Sequence, residues 1–99
     1  MTVNKKIDGS ELFVKIGGSI DSVTAPEFNK VLEESIKGIK SLILDFEDVD
    51  YISSAGLRVL LATFKAISKG GSMVVRHPNK NVMDIFTMTG FDNILTIEN

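Results

Sequence analysis

The chain has 99 residues, 43% hydrophobic and 24% charged, which fits one globular domain over residues 1–99 that buries roughly 60–70% of the unfolded chain's surface. Eleven Lys and Arg stand against thirteen Asp and Glu, a formal charge of -2, so no basic excess points to nucleic acid. The lack of Cys excludes disulfides and thiolate zinc sites, and no apolar run nears the ~18 residues of a membrane span, so a soluble, cytoplasmic protein without direct membrane insertion is expected.

Residues 2–7 and 11–17 read as strands around Asp8-Gly9, a two-residue hairpin signal. Leu12, Val14 and Ile16 share one face of the second strand by alternation. Thr24-Ala25-Pro26-Glu27 has the pattern of a capping box, with Thr24 as N-cap and Glu27 reaching back. Phe28, Val31, Leu32 and Ile36 then lay an apolar stripe along a helix. The short apolar run 41–46 suits a strand covered on both faces, and a turn is expected to follow Phe46 through EDVDYISSAG.

A second helix follows, then a strand over 72–76. A third helix is capped by Asn79, turns Val82, Ile85 and Phe86 inward and stops at Gly90. A last strand covers 93–97. The order ββαβαβαβ predicts an α/β fold: a mixed sheet of four to five strands with three to four helices packed on it. Functional groups in such sheets gather at the carboxyl ends of strands, here after Ile16 and after Phe46.

No catalytic constellation is visible, and no cofactor motif. His77 is the single histidine and reads as a loop residue, since one ligand makes no metal site. Ser54 lies outside any GxSxG pattern, and no phosphate loop or dinucleotide fingerprint is present. Glu47, Asp48 and Asp50 read as a solvated acidic loop without calcium-loop spacing.

The segment YISSAGLRVLLATFKAISKGG is more informative. At helical spacing Leu57, Leu60, Leu61, Phe64 and Ser68 share the arc expected to face the sheet. Ala55, Val59, Ala62 and Ala66 fall opposite as a smooth stripe, with Arg58, Lys65 and Lys69 between. Neighbouring helices cover that stripe, or it is a docking surface that sacrifices little side-chain entropy and has a cationic rim for an acidic partner. Ser53 as N-cap commits its hydroxyl to an amide of the first turn. Ser54 is then free, and a phosphate there would meet the positive end of the helix, worth about 0.3–1 kcal/mol, with Arg58 within i,i+4 reach. A pair of serines that merely starts the helix is the competing reading.

The stretch VDYISSAGLRVLL resembles the segment of STAS-domain anti-sigma factor antagonists that carries their phosphorylated serine. GGSIDSVTAPEF is similar to that family's loop and first-helix start, and VMDIFTMTGFDNILTI to its terminal helix and strand. The resemblance implies a STAS fold and a partner switch with no catalytic residue of its own. The unphosphorylated antagonist would bind an anti-sigma factor that is also a serine kinase, be released by phosphorylation, and be reset by a serine/threonine phosphatase. By position the acceptor carries over to Ser54, and Asp21 matches an aspartate in the family's earlier loop. The family often has aspartate where Ser53 stands, which makes Ser53 a rival acceptor, and glycine is common where Arg58 stands. The expected partner-binding set is Asp21, Ser53, Ser54, Ala55, Gly56, Arg58, Val59 and Ala62. The alternative is a constitutive, unphosphorylated STAS subunit of a lipid-transport ATPase or a stress-signalling scaffold, bound through the alanine stripe.

Overall fold

The computed structural model describes residues 1–99. Strands β1 (Thr2–Asp8) and β2 (Glu11–Ile20) form the expected antiparallel hairpin. Its loop is Gly9-Ser10 rather than Asp8-Gly9, because Asp8 still pairs with Glu11 and Gly9 supplies the positive φ of +62°. Helix α1 (Ala25–Ser35) crosses to β3 (Ser41–Ile52), α2 (Ser54–Ile67) to β4 (Ser72–Arg76), and α3 (Lys80–Thr89) to β5 (Thr96–Glu98). The sheet order is β1-β2-β3-β4-β5, parallel from β2 onward. Right-handed crossovers that all step in one direction place the three helices on one face.

The core sits between that face and the helices. Leu12, Val14 and Ile16 of β2, Leu42, Leu44 and Phe46 of β3, and Met73 and Val75 of β4 meet Phe28, Leu32, Leu60, Val82 and Phe86. Each of the larger side chains contributes about 1.5–3 kcal/mol on full burial. Phe46 and Phe86 stack tilted at a 6.3 Å ring separation. β3 is the central strand, and its run Leu42–Phe46 is buried throughout. Ile43 lies outside the main core, on the opposite face, where it pairs in register with Phe13 and Val74.

β2 runs past the expected turn after Ile16 to Ile20, because Gly17–Ile20 pair with the far half of β3. Four further expectations change. β3 does not turn after Phe46 but runs on to Ile52, so Glu47, Asp48 and Asp50 are exposed strand residues rather than a loop. Two register shifts against β2 let β3 carry an extra residue at each, and backbone pairing with Gly17–Ile20 outweighs the loop-like composition. The last strand is only Thr96–Glu98, because Phe91–Asn93 tighten into a 3-10 turn. The Thr24 capping box does not form: Thr24 is helical in backbone and its hydroxyl bonds to the Ser19 carbonyl at 2.9 Å instead, while Glu27 is exposed.

The fourth concerns α2, whose buried arc is Gly56, Leu57, Val59, Leu60, Thr63 and Ile67. Leu61 and Phe64 are half-buried and Ser68 is exposed, so the helix is rotated from the expected face. The cause is Gly56: a Cβ there would lie 2.7 Å from both Ile20 Cγ2 and Ile52 Cγ1. Its bare backbone is the contact surface, a feature that apolar periodicity does not register. Val59 turns inward with it, on the side where α1 packs against α2. No helix is long and apolar enough to cross a membrane.

Replacing Gly56→Ala should lower stability by about 1–3 kcal/mol, since overpacking outweighs the ~1 kcal/mol gain in helix propensity. Urea denaturation checks this; an unchanged or raised midpoint would contradict the tight contact. Asn79 accepts from the Val82 amide at 2.8 Å and donates to the Val49 carbonyl at 3.0 Å. Asn79→Ala should therefore cost about 1–2 kcal/mol, more than an ordinary cap in an exposed helix, read in the same titration.

Candidate functional site

β2 and β3 end side by side, with Ile20 opposite Ile52. The backbone continues that pairing one step further, the Ser53 amide donating to the Ile20 carbonyl at 2.8 Å. The loop after Ile20 and the start of α2 after Ile52 are thereby held together at one rim of the sheet. Asp21, Ser53 and Ser54 all lie on this rim.

Within the loop Asp21 is an organiser. Its Oδ1 accepts from the Val23 amide at 2.9 Å and the Thr24 amide at 3.1 Å, and its own amide donates to Thr24 Oγ1 at 2.9 Å. The Thr24 amide foremost, then the Val23 amide, hold the Asp21 carboxyl below its ordinary value. The folded state thus favours the ionised form: its contribution is complete above the ordinary carboxylate range and is lost as pH falls through the lowered value. The same hydrogen bonds occupy Asp21 Oδ1, so its first role is to shape the loop that precedes Ala25.

The two serines divide as expected. Ser53 has extended backbone, φ -92° and ψ 176°, and its Oγ accepts a long 3.4 Å bond from the Gly56 amide. Ser54 is the first helical residue, is exposed, and its hydroxyl makes no hydrogen bond within the chain. A free hydroxyl on a rigid helix start, with neighbours that are small, can be reached by another protein's active site without local unfolding.

Beside it, Ala55, Arg58 and Ala62 of α2 face Ser22, Pro26 and Asn29 across a shallow groove of about 410 Å³. Ala62 is exposed and Ala55 half-buried, whereas Val59 is buried at 7% exposure and only floors the groove. Gly56 is buried against Ile20 and Ile52 and offers no surface. The expected docking set is therefore split: Ser54, Ala55, Arg58 and Ala62 are accessible, and Gly56 and Val59 place them.

Periodicity missed two large exposed apolar side chains on the same rim, Val23 at 83% and Tyr51 at 48% exposure. Val23 sits in a loop, where no period applies. Tyr51 follows a register shift that breaks the strand's alternation. The acidic residues nearby are partly neutralised, Lys15 lying 3.7 Å from both Glu47 and Asp48. His77, read as a plain loop residue, has a left-handed backbone, φ 56°, and its Nδ1 lies 3.3 Å from Asp45 Oδ1.

The family model for the STAS domain matches residues 2–99. Over 98 residues the chain is 31% identical to the anti-sigma-B factor antagonist of Bacillus subtilis, covering 98% of this chain and 90% of that protein. The crystal structure of an anti-sigma factor antagonist from Mycobacterium paratuberculosis superposes with a TM-score of 0.90 at 23% identity, over 98% of this chain and 84% of that one. The Bacillus cell fate determinant SpoIIAA in its phosphorylated form superposes with a TM-score of 0.76 at 13% identity, over 99% and 92%. The two superpositions, at these identities, speak for the fold alone. The family match spans essentially the whole chain, through the loop of Asp21 and the helix start of Ser54, and the chain belongs to the STAS domain family.

Proposed function

We propose that this STAS domain is an anti-sigma factor antagonist that binds an anti-sigma factor with serine-kinase activity and is released by phosphorylation at Ser54. The role of antagonist is supported by the name of the Bacillus subtilis relative, which is similar along almost its whole length. The observation that carries the site is the division of the serines: Ser53 closes the helix end and Ser54 is left exposed with a free hydroxyl.

In the phosphorylation step the Ser54 oxygen attacks the γ-phosphorus of ATP bound to the kinase. The new O–P bond forms as the bond to the bridging oxygen breaks, ADP leaves, and the hydroxyl proton passes to a base of the kinase. This chain supplies only the hydroxyl and its placement. The product carries about -1.5 to -2 charges where the partner must close, opposed by desolvation and by repulsion from any carboxylate there. A serine/threonine phosphatase would restore the alcohol by hydrolysis.

Incubation with an anti-sigma serine kinase that binds this protein, with ATP, should add one phosphate, located at Ser54 by mass spectrometry and absent from Ser54→Ala. Transfer that persists undiminished in Ser54→Ala would move the acceptor to Ser53 or elsewhere. Ser54→Asp should melt within about 2 °C of the unchanged protein, because the site is exposed and an acidic residue suits a helix start. The phosphorylated protein should bind the kinase more than a hundredfold more weakly, a loss of about 3 kcal/mol. Equal affinity of the two forms in calorimetry would instead favour a constitutive STAS subunit.

A further inference from the structure

The proposed phosphate would have a neighbour inside the chain that the fold leaves free. Of the two arginines, Arg76 is bonded to Glu98 at 2.9 Å. Arg58 is exposed and takes part in none of the salt bridges or side-chain hydrogen bonds of the molecule. It stands one helical turn after Ser54. Residues four apart share one helical face and helical side chains lean toward the N-terminus, so an arginine at position 58, which lines the groove beside α1, has a phosphate on Ser54 within reach.

Nothing competes for it locally. The first turn of α2 has no acidic residue. No carboxylate lines the groove between α1 and α2, where Arg58 is the only charged group. Asp21, on the adjoining loop, spends its Oδ1 on the Val23 and Thr24 amides. An exposed arginine with no partner, beside a shallow and largely uncharged groove, is free to take an anion that arrives later. The planar fork of a guanidinium matches phosphate oxygens two at a time, which a lysine ammonium cannot do.

Resting on the reading of Ser54 as phosphoacceptor, we propose that Arg58 is the intramolecular partner of phosphoserine at position 54, and that this pairing withdraws the groove's only cation from the docking surface. Modification then changes the rim by more than the charge it adds. In the free-hydroxyl state the guanidinium is available to a carboxylate of the anti-sigma factor. In the phosphorylated state it is turned back onto the phosphate, and the factor meets an anion where it had met a cation.

Phosphoserine inserted at position 54 during translation, by amber-codon suppression, makes the first test independent of any kinase. The 31P resonance is titrated with pH in the otherwise unchanged protein, in Arg58→Gln and in Arg58→Lys. Pairing predicts a second phosphate pKa about 0.2–0.4 unit lower with arginine than with glutamine, and an intermediate value for Arg58→Lys. Superimposable titration curves for the arginine and glutamine proteins overturn the pairing. Calorimetry of the unmodified proteins against the anti-sigma factor tests the withdrawal, with Arg58→Gln expected to bind about fivefold more weakly, the scale of one interfacial charge contact of about 1 kcal/mol. Equal affinities of the arginine and glutamine proteins overturn it. An unmodified protein with no affinity for the factor overturns the antagonist reading instead, and leaves the 31P result to decide the pairing by itself.

Discussion

The contact between the first turn of α2 and the paired ends of β2 and β3 is the constraint from which the site follows. Gly56 has no side chain, so the helix backbone settles directly on Ile20 and Ile52, both essentially fully buried. The Ser53 amide bonds to the Ile20 carbonyl and extends the strand pairing into the helix cap. With position 56 inward and position 53 spent on capping, helical geometry leaves position 54 facing solvent. Its exposure is a consequence of packing one turn away.

The polar groups of the rim separate into those the fold consumes and those it leaves. Asp21 and Thr24 bond to each other's backbone and shape the loop, and Ser53 closes the helix. These groups hold the geometry by local hydrogen bonds, each worth about 0.5–1.5 kcal/mol net, and for that reason are poorly placed to change state. Ser54 and Arg58 hold nothing in place, so chemistry at either costs the fold little. The proposed phosphorylation switch would act on such uncommitted groups on a committed frame, where a change of charge draws little on the few kcal/mol of stability a domain of this size has to lose.

Much of the fold was legible locally. The alternation Leu12, Val14, Ile16 names the buried face of β2 because strand side chains alternate whatever surrounds them. Asn79 and Gly90 bracket α3 through backbone requirements internal to that helix, a cap acceptor and a φ of +79°. Ser53 follows the same logic. Thr24 did not, since its hydroxyl had two partners in reach and the Ser19 carbonyl became available only once β2 was extended to Ile20. The rotation of α2 was hidden because Gly56 and Thr63 face the sheet, and neither reads as apolar. The length of β3 was hidden because Glu47, Asp48 and Asp50 have the composition of a loop and the pairing of a strand.

The sequence alone determined the order of the main elements, the central apolar strand, the caps at Ser53 and Asn79 and the freedom of the Ser54 hydroxyl beside its capping neighbour, since each depends on contacts within a few residues. The tertiary structure decided which residues around Ser54 are surface and which are support. It moved Gly56 and Val59 inward, left Ala62 and Arg58 outward, and brought Asp21 to the same rim from a different strand. Those outcomes depend on how closely β2, β3, α1 and α2 approach one another, a distance set by residues more than thirty positions apart in the chain, such as the Ile20 side chain and the bare Gly56 backbone. A one-dimensional pattern records periodicity along an element but not the rotation at which that element docks.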